Sequence, residues 1–244
     1  MGSADLHIHS VHSDGTATIN AILHHASAHT NLDIIAITDH NTLNGALKAL
    51  ELAKNFRVDV VAGMEIGTLE GHLLALFLET PIAPGLPFVE TAKKVRLFGG
   101  LPFVAHPASA FAQSLPIKRL REIVQHYPGL LAGIEAENGS TLNQRENEIA
   151  QMLRWELGLP GIGASDAHIL GEIGSARTLF PGATTTALRE ALEMGAVVPA
   201  PARRRVRFFR KHASRFAIRY GLGLVESIEF DDVGEGSRKW VRKG

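Results

Sequence analysis

Short apolar runs alternate along this chain with longer segments whose apolar residues recur every three or four positions. The short runs, at 4–9, 33–38, 58–63, 71–78, 101–105, 131–135 and 161–165, have the length and composition of strands. The longer segments, at 18–29, 42–54, 88–98, 116–126, 141–157 and 184–194, have the period of amphipathic helices. Thr18 or Asn20 suits the N-cap of the first helix, and Thr141 that of the longest, with Gln144 at its capping-box position. Strands that alternate with helices predict parallel pairing, in an open doubly wound sheet or a closed barrel.

The polar residues decide between the two. Nearly every strand candidate ends in a polar cluster: His7 and His9, then Asp39-His40, Glu65, His106-Pro107, Glu135 to Asn138, and Ser165-Asp166-Ala167-His168. An open sheet would gather functional groups at one crevice. A barrel collects them at the C-terminal ends of all its strands, so the pattern predicts an α/β fold with a TIM-like barrel.

Composition narrows the chemistry. The 244 residues match the ~250 of one barrel. There is no cysteine, so any metal must be held by His, Asp and Glu, and the chain fits a cytoplasmic location. No signal peptide or uninterrupted apolar membrane span is visible. The net charge of zero hides an asymmetry, because residues 1–202 carry 13 Lys+Arg against 20 Asp+Glu, and residues 203–244 carry 12 against 5. This predicts an acidic barrel domain over 1–202 and a basic C-terminal segment over 203–244.

The first strand carries the densest chemistry, Asp5-Leu6-His7-Ile8-His9-Ser10, running into Ser13-Asp14-Gly15. In a strand, residues two apart share a face, so His7 and His9 aim at one point, as metal ligands at a strand end do. Asp166 and His168 repeat the same spacing. Taken singly the other clusters have plain explanations: Asp39-His40-Asn41 is a capped turn, and Glu65 is a loop carboxylate.

Taken together, Asp-Leu-His-Ile-His-Ser, Ser-Asp-Gly, Thr-Asp-His-Asn, Gly-Met-Glu, Ala-His-Pro and Ser-Asp-Ala-His occur in one order, each at a strand end. In this the chain resembles the PHP (polymerase and histidinol phosphatase) domain family of metal-dependent phosphoesterases over about residues 4–200. The resemblance implies a distorted seven-stranded (β/α)7 barrel with two to three divalent metal ions. By the family pattern His7, His9, Glu65 and Asp166 hold one metal. A bridging Glu65 with His72 and His106 holds a second, and Asp14, His40 and His168 a third. Donors that are all nitrogen or oxygen suit Zn²⁺, Mn²⁺ or Fe²⁺. The implied reaction is attack of metal-bound hydroxide on phosphorus, with Glu65, Asp166 and His168 as catalytic residues and His168 or a metal-bound water protonating the leaving oxygen.

Asp39 is expected to orient a ligand histidine through its free ring nitrogen. Arg177, Asn138 and His12 are the candidate substrate contacts; the plain alternatives for the first two are a surface arginine and a turn-forming Asn-Gly, and His12 either lines the pocket or touches the third metal. His24, His25 and His29 lie on one helix without carboxylate partners and read as a solvated face, and His126 and His212 stand outside any cluster.

Within 203–244, Val206, Phe209, Ala213, Phe216, Ala217 and Tyr220 recur at helical spacing among arginines. This predicts an amphipathic basic helix that packs on the barrel, binds nucleic acid or anionic lipid, or attracts polyanionic substrate. The leading expectation is a phosphoesterase acting on a small phosphorylated metabolite or nucleotide. Only some forty residues separate Glu65 from His106, too few for an inserted specificity domain. The alternatives are a nuclease or nucleic-acid-associated protein anchored by the basic helix, and a metal-binding regulatory module without turnover.

Overall fold

A computed structural model describes residues 1–109, 112–139 and 144–200. Thr141 and the basic amphipathic helix expected within 203–244 lie outside the described residues. All seven expected strands form: β1 (Gly2–Asp5), β2 (Ile34–Ile37), β3 (Asp59–Gly67), β4 (His72–Leu76), β5 (Leu101–Val104), β6 (Gly133–Asn138) and β7 (Gly161–Ala164). Two more follow, β8 (Arg177–Phe180) and β9 (Val198–Ala200), so the seven-stranded expectation is corrected to nine among the described residues. Among the described residues the α-helices are α1 (Ile19–His29), α2 (Asn44–Ala53), α3 (Phe88–Leu97), α4 (Ile117–His126), α5 (Gln144–Leu157) and α6 (Thr185–Glu193). Thr18 caps α1 by accepting from the Ala21 N–H at 3.3 Å, which leaves Asn20 inside the helix.

The sheet runs β7-β6-β5-β4-β3-β2-β1-β8-β9 and is mixed. β1, β2 and β3 pair in parallel, as do β5, β6 and β7, whereas β4 is antiparallel to both neighbours and β8 to both of its own. The all-parallel expectation fails at β4 because only a four-residue turn, 68–71, joins it to β3, and a parallel return needs a crossover of a dozen residues or more. The barrel nearly closes where β7 meets β8: the Thr178 hydroxyl donates to the Gly163 carbonyl at 2.8 Å and accepts from its N–H at 3.0 Å. Gly163 permits this approach, since a Cβ there would lie 2.4 Å from the Arg177 carbonyl oxygen.

Both faces of the sheet are buried, which explains the continuous apolar runs. Ile34, Ala36, Val61, Leu74, Leu76, Leu101 and Phe103 fill the barrel interior, with Leu188, Ala191 and Leu192 of α6 in the same cluster. Ile35, Ile37, Val60, Ala62, Met64 and Ile134 face outward onto Ile22, Leu23, Ala49, Val95 and Leu120 of the helices. This two-residue alternation carries the interior face upward from Val61 through Gly63 to Glu65 on β3, and from Leu76 through Leu74 to His72 on β4. Among the described residues no helix is long and apolar enough to cross a membrane.

Candidate metal centre

The site lies at the C-terminal ends of β1, β2, β3, β5 and β7, with His72 entering from the start of antiparallel β4. β1 stops at Asp5, and the histidines after it do not simply prolong its alternation. Leu6 packs in the interior cluster and Ile8 in the outer one, so the facing reverses between them. The chain then pairs with the end of β7 and with Thr38: the His9 N–H donates to the Ala167 carbonyl at 2.9 Å, and the Ile8 N–H to the Thr38 hydroxyl at 3.0 Å. His7 and His9 thus share a face and point inward, both buried.

Glu65 is the hub. Its Oε2 lies 3.2 Å from His7 Nε2, 3.3 Å from His9 Nε2 and 3.1 Å from His40 Nδ1, and its Oε1 lies 2.9 Å from His72 Nδ1 and 2.7 Å from His106 Nε2. Asp166 Oδ1 stands 3.2 Å from His9 Nε2 and 3.5 Å from His7 Nε2. Across the mouth, Asp14 reaches His168 Nε2 at 3.1 Å, with His9 Nδ1 at 3.6 Å and His40 Nε2 at 3.8 Å. Gly15 lets this loop fold down, since a Cβ there would sit 2.3 Å from the His9 carbonyl oxygen.

Three groups of donor atoms converge within 4.8 Å of one another: His7, His9, Glu65 and Asp166; His40, Glu65 and His72; and His9, Asp14, His40 and His168. The first coincides with the expected set. In the second His40 stands where His106 was expected, although His106 keeps its contact to Glu65. In the third His9 joins Asp14, His40 and His168.

A divalent cation fits these donors. His7 Nε2, both ring nitrogens of His9, and His72 Nδ1 are buried and make no hydrogen bond among the described residues, despite the nearby carboxylates. Buried lone pairs without partners are costly, and a cation would use them. The set is imidazole and carboxylate throughout, which suits Zn²⁺, Mn²⁺ or Fe²⁺.

The charges are strongly coupled. Burial opposes ionisation of Glu65 and Asp166, but His7 and the other facing histidines hold both carboxyls well below their ordinary range. Burial likewise opposes charging of His7, His9 and His106, yet the carboxylates raise all three. His168 is pushed up to about 9 against its burial, mainly by Asp14, and Asp14 is held low in return by His168. His40 goes the other way, lowered by burial with His9 and His72 adding to the effect.

Two of the donor residues sit in unusual backbone. Asp166 has φ 54° and His106 φ 25°, a region that costs non-glycine residues of order 1 kcal/mol or more. Hydrogen bonds hold these positions: the Ser165 N–H donates to Asp5 at 2.9 Å, and the His106 N–H to Glu135 at 2.7 Å. Burial pushes Asp5 up to about 6 even so.

The expected supporting contacts change in detail. Asp39 orients no histidine ring; its carboxylate accepts from the Ser10 N–H, the Ser10 hydroxyl and the Ser13 hydroxyl, each at 2.7 Å, and so shapes the loop after β1. The ring-orienting contact belongs to Glu135, whose Oε1 lies 3.1 Å from His7 Nδ1. Its only signal in the sequence is a carboxylate inside the apolar run of β6. Asn138 is buried beneath the mouth, its amide donating to Glu135 at 3.1 Å and Asp166 at 3.3 Å, so it braces the carboxylates. Arg177 is half-buried at the mouth end of β8, its side chain without a hydrogen bond or ion pair to other described residues. His12 is exposed on the rim, its backbone N–H donating to the Ser10 hydroxyl at 3.1 Å. The rings of His24 and His25 both meet that of His29 on α1. A separate cavity of about 410 Å³ opens at the opposite end of the barrel, where Leu131, Ala132, Leu159 and Pro160 precede β6 and β7.

Comparison with known proteins places this architecture. The PHP domain model matches residues 5–84 and the PHP-associated model residues 144–197. An uncharacterized protein of Methanocaldococcus jannaschii is 38% identical over 123 residues, 46% of this chain and 71% of that one. The phosphoribosyl 1,2-cyclic phosphate 1,2-diphosphodiesterase of Eggerthella lenta is 36% identical over 81 residues, 31% of this chain and 30% of the enzyme. A 5'-3' exoribonuclease of Haemophilus influenzae is 36% identical over 64 residues, 26% of this chain and 23% of the enzyme. The chain therefore spans under a third of each of these two enzymes. Among solved structures, a two-domain protein of Bacteroides vulgatus, described as containing a predicted PHP-like metal-dependent phosphoesterase, superposes with a TM-score of 0.68 at 20% identity, covering 82% of this chain and 64% of that one.

Proposed function

The chain belongs to the PHP family, and from that premise, together with a neighbour of the same fold described as containing a predicted PHP-like metal-dependent phosphoesterase, we propose that it hydrolyses a phosphoester of a small phosphorylated metabolite or nucleotide. The observation that carries the reading is Glu65, whose two oxygens face two different sets of histidines in a buried pocket. On this reading His7, His9, Glu65 and Asp166 hold one cation, and Glu65 with His72, His106 and His40 holds a second. Two divalent cations sharing a carboxylate supply an acidified water and offset charge on the phosphoryl oxygens.

The chain's own residues do the rest. Asp39 keeps Ser10 and Ser13 in place, so that Asp14 is held over the mouth. Arg177 stands at the mouth end of β8, and its guanidinium suits a bidentate grip on a phosphate oxygen pair. His12 lies on the same rim. The Asp14–His168 pair has two possible uses: with two cations bound it keeps a proton on His168 for the leaving oxygen, and with a third it joins His40 and His9 as ligands. Metal stoichiometry separates the two.

A second reading, a nuclease, is supported by the similarity to an exoribonuclease and by the excess of arginine and lysine in 203–244. One panel tests both. Metal analysis is expected to find two to three equivalents of Zn²⁺, Mn²⁺ or Fe²⁺. Histidinol phosphate, nucleotide mono- and bisphosphates, a cyclic phosphodiester and short oligonucleotides are then compared as substrates. Hydrolysis of small esters supports the proposal; hydrolysis confined to oligonucleotides transfers it to the nuclease. Protein that takes up no Zn²⁺ or Mn²⁺ and stays inert overturns both.

A further inference from the structure

Strand alternation on β6 turns Ile134 and Ala136 outward into the helical layer and leaves Glu135 facing inward, 1% exposed, directly beneath the histidines. A carboxylate buried this deeply needs partners on both oxygens. Oε2 accepts two hydrogen bonds, from the His106 backbone N–H at 2.7 Å and from Asn138 Nδ2 at 3.1 Å. Oε1 meets His7 Nδ1 at 3.1 Å. The other ring nitrogen of His7 is the one that points at Glu65 and Asp166 and lacks a hydrogen bond.

We propose that Glu135 is the positioning residue of this centre: it keeps a proton on His7 Nδ1 and so reserves the Nε2 lone pair for a cation at the His7, His9, Glu65 and Asp166 group. The inference rests on the metal-centre reading above. A neutral imidazole carries one proton, and the hydrogen bond made by one nitrogen decides what the other can offer. Through Oε2 the same carboxylate also fixes the strained backbone at His106 and, by way of Asn138, the position of Asp166.

The two-donor arrangement on Oε2 makes the role specific to a carboxylate. In Glu135→Gln the side chain has one oxygen for three donors. The His106 N–H cannot turn away, and Asn138 Nδ2 approaches from the same side, so the amide oxygen is drawn to that pair. The amide NH₂ then faces His7 Nδ1, which must become an acceptor. The His7 proton moves to Nε2, and the lone pair that a cation needs is gone.

The test uses the full chain loaded with Zn²⁺ and labelled with ¹⁵N at histidine. Long-range ¹H–¹⁵N spectra are expected to show the proton of wild-type His7 on Nδ1. Glu135→Gln, isosteric and uncharged, is expected to bind Zn²⁺ at this group roughly 10–100-fold more weakly, read by calorimetry rather than by turnover. Unchanged zinc affinity in a folded Glu135→Gln overturns the positioning role while leaving the metal centre standing. If that variant does not fold, the wild-type spectrum decides, because a His7 without its Nδ1 proton overturns the role by itself. Wild-type protein that binds no zinc overturns this inference together with the reading beneath it.

Discussion

At the scale of single residues, the centre is a balance of buried charges around one carboxylate. Glu65→Ala removes the group shared by five histidines. It is expected to abolish turnover and to lower metal content by two equivalents, measured by elemental analysis, whereas near wild-type turnover would remove Glu65 from its bridging role. The histidines supply a second expectation. His7, His9 and His106 are raised by their carboxylates, and His168 is raised to about 9. His168 is therefore protonated at neutral pH in the metal-free protein, and the upward shifts of His7, His9 and His106 favour their protonated forms, so a cation must compete with protons for these nitrogens. Metal binding should release protons at pH 7, and affinity should rise with pH and weaken as pH falls. Calorimetry in buffers of different ionisation enthalpy measures the release; heats that do not change with buffer would contradict these charge states.

Nine of the residues singled out as metal ligands, namely His7, His9, Asp14, His40, Glu65, His72, His106, Asp166 and His168, meet around one pocket. Most were legible because they stand beside an apolar run, where a polar side chain is out of place unless it faces a site, and the resemblance to the family motifs supplied the rest, Asp14 in the loop after β1 and His72 at the start of β4. The supporting contacts were not legible. Asp39 and Glu135 are both carboxylates beside the site, and which one meets a histidine ring depends on how Ser10, Ser13 and His106 present their N–H and hydroxyl groups in space. Asn138 reads as a turn residue because its neighbour is glycine, yet the fold buries it between Glu135 and Asp166.

At the scale of elements, β-strand alternation does most of the positioning. Phe103 on β5 is fully buried in the barrel interior beneath the histidines. Phe103→Ala is expected to cost roughly 3–5 kcal/mol of stability, measured by denaturant unfolding, and a loss under 1 kcal/mol would mean that the interior collapses to fill the gap. The helices were legible to within a few residues, because an apolar stripe of period 3.6 survives in almost any tertiary setting. The directions of β4, β8 and β9 were less so. A strand's own residues do not record whether its partner runs parallel; the length of the connecting segment does, and the turn at 68–71 was too short for a crossover. β9 escaped notice because it has only three residues and contains Pro199, which lowers its resemblance to a strand.

At the scale of the whole molecule, the open question is what residues 203–244 contribute. A chain ending after residue 202 is expected to keep its metal content, its fold and its hydrolysis of small phosphoesters, and to lose any salt-sensitive binding of oligonucleotides. Insoluble or metal-free protein from that truncation would show instead that the basic segment is part of the barrel's own stability. Filter binding of a labelled oligonucleotide at two salt concentrations reads the difference.

The sequence alone determined which residues are chemically available and where along the chain they fall: a cysteine-free set of His, Asp and Glu at strand ends, on a barrel of alternating strands and helices. Those features are local, since burial of an apolar run and the placing of a polar residue at its end are set by neighbours in the chain. Only the tertiary structure decided how the donors group, that Glu65 turns one oxygen to His7, His9 and His40 and the other to His72 and His106, and that Glu135 rather than Asp39 meets a ligand histidine. Those pairings join residues as far apart as Asp14 and His168, 154 positions, and their geometry depends on strand register, on the reversal of facing between Leu6 and Ile8, and on the backbone at His106 and Asp166. None of these is a property of any short stretch of sequence.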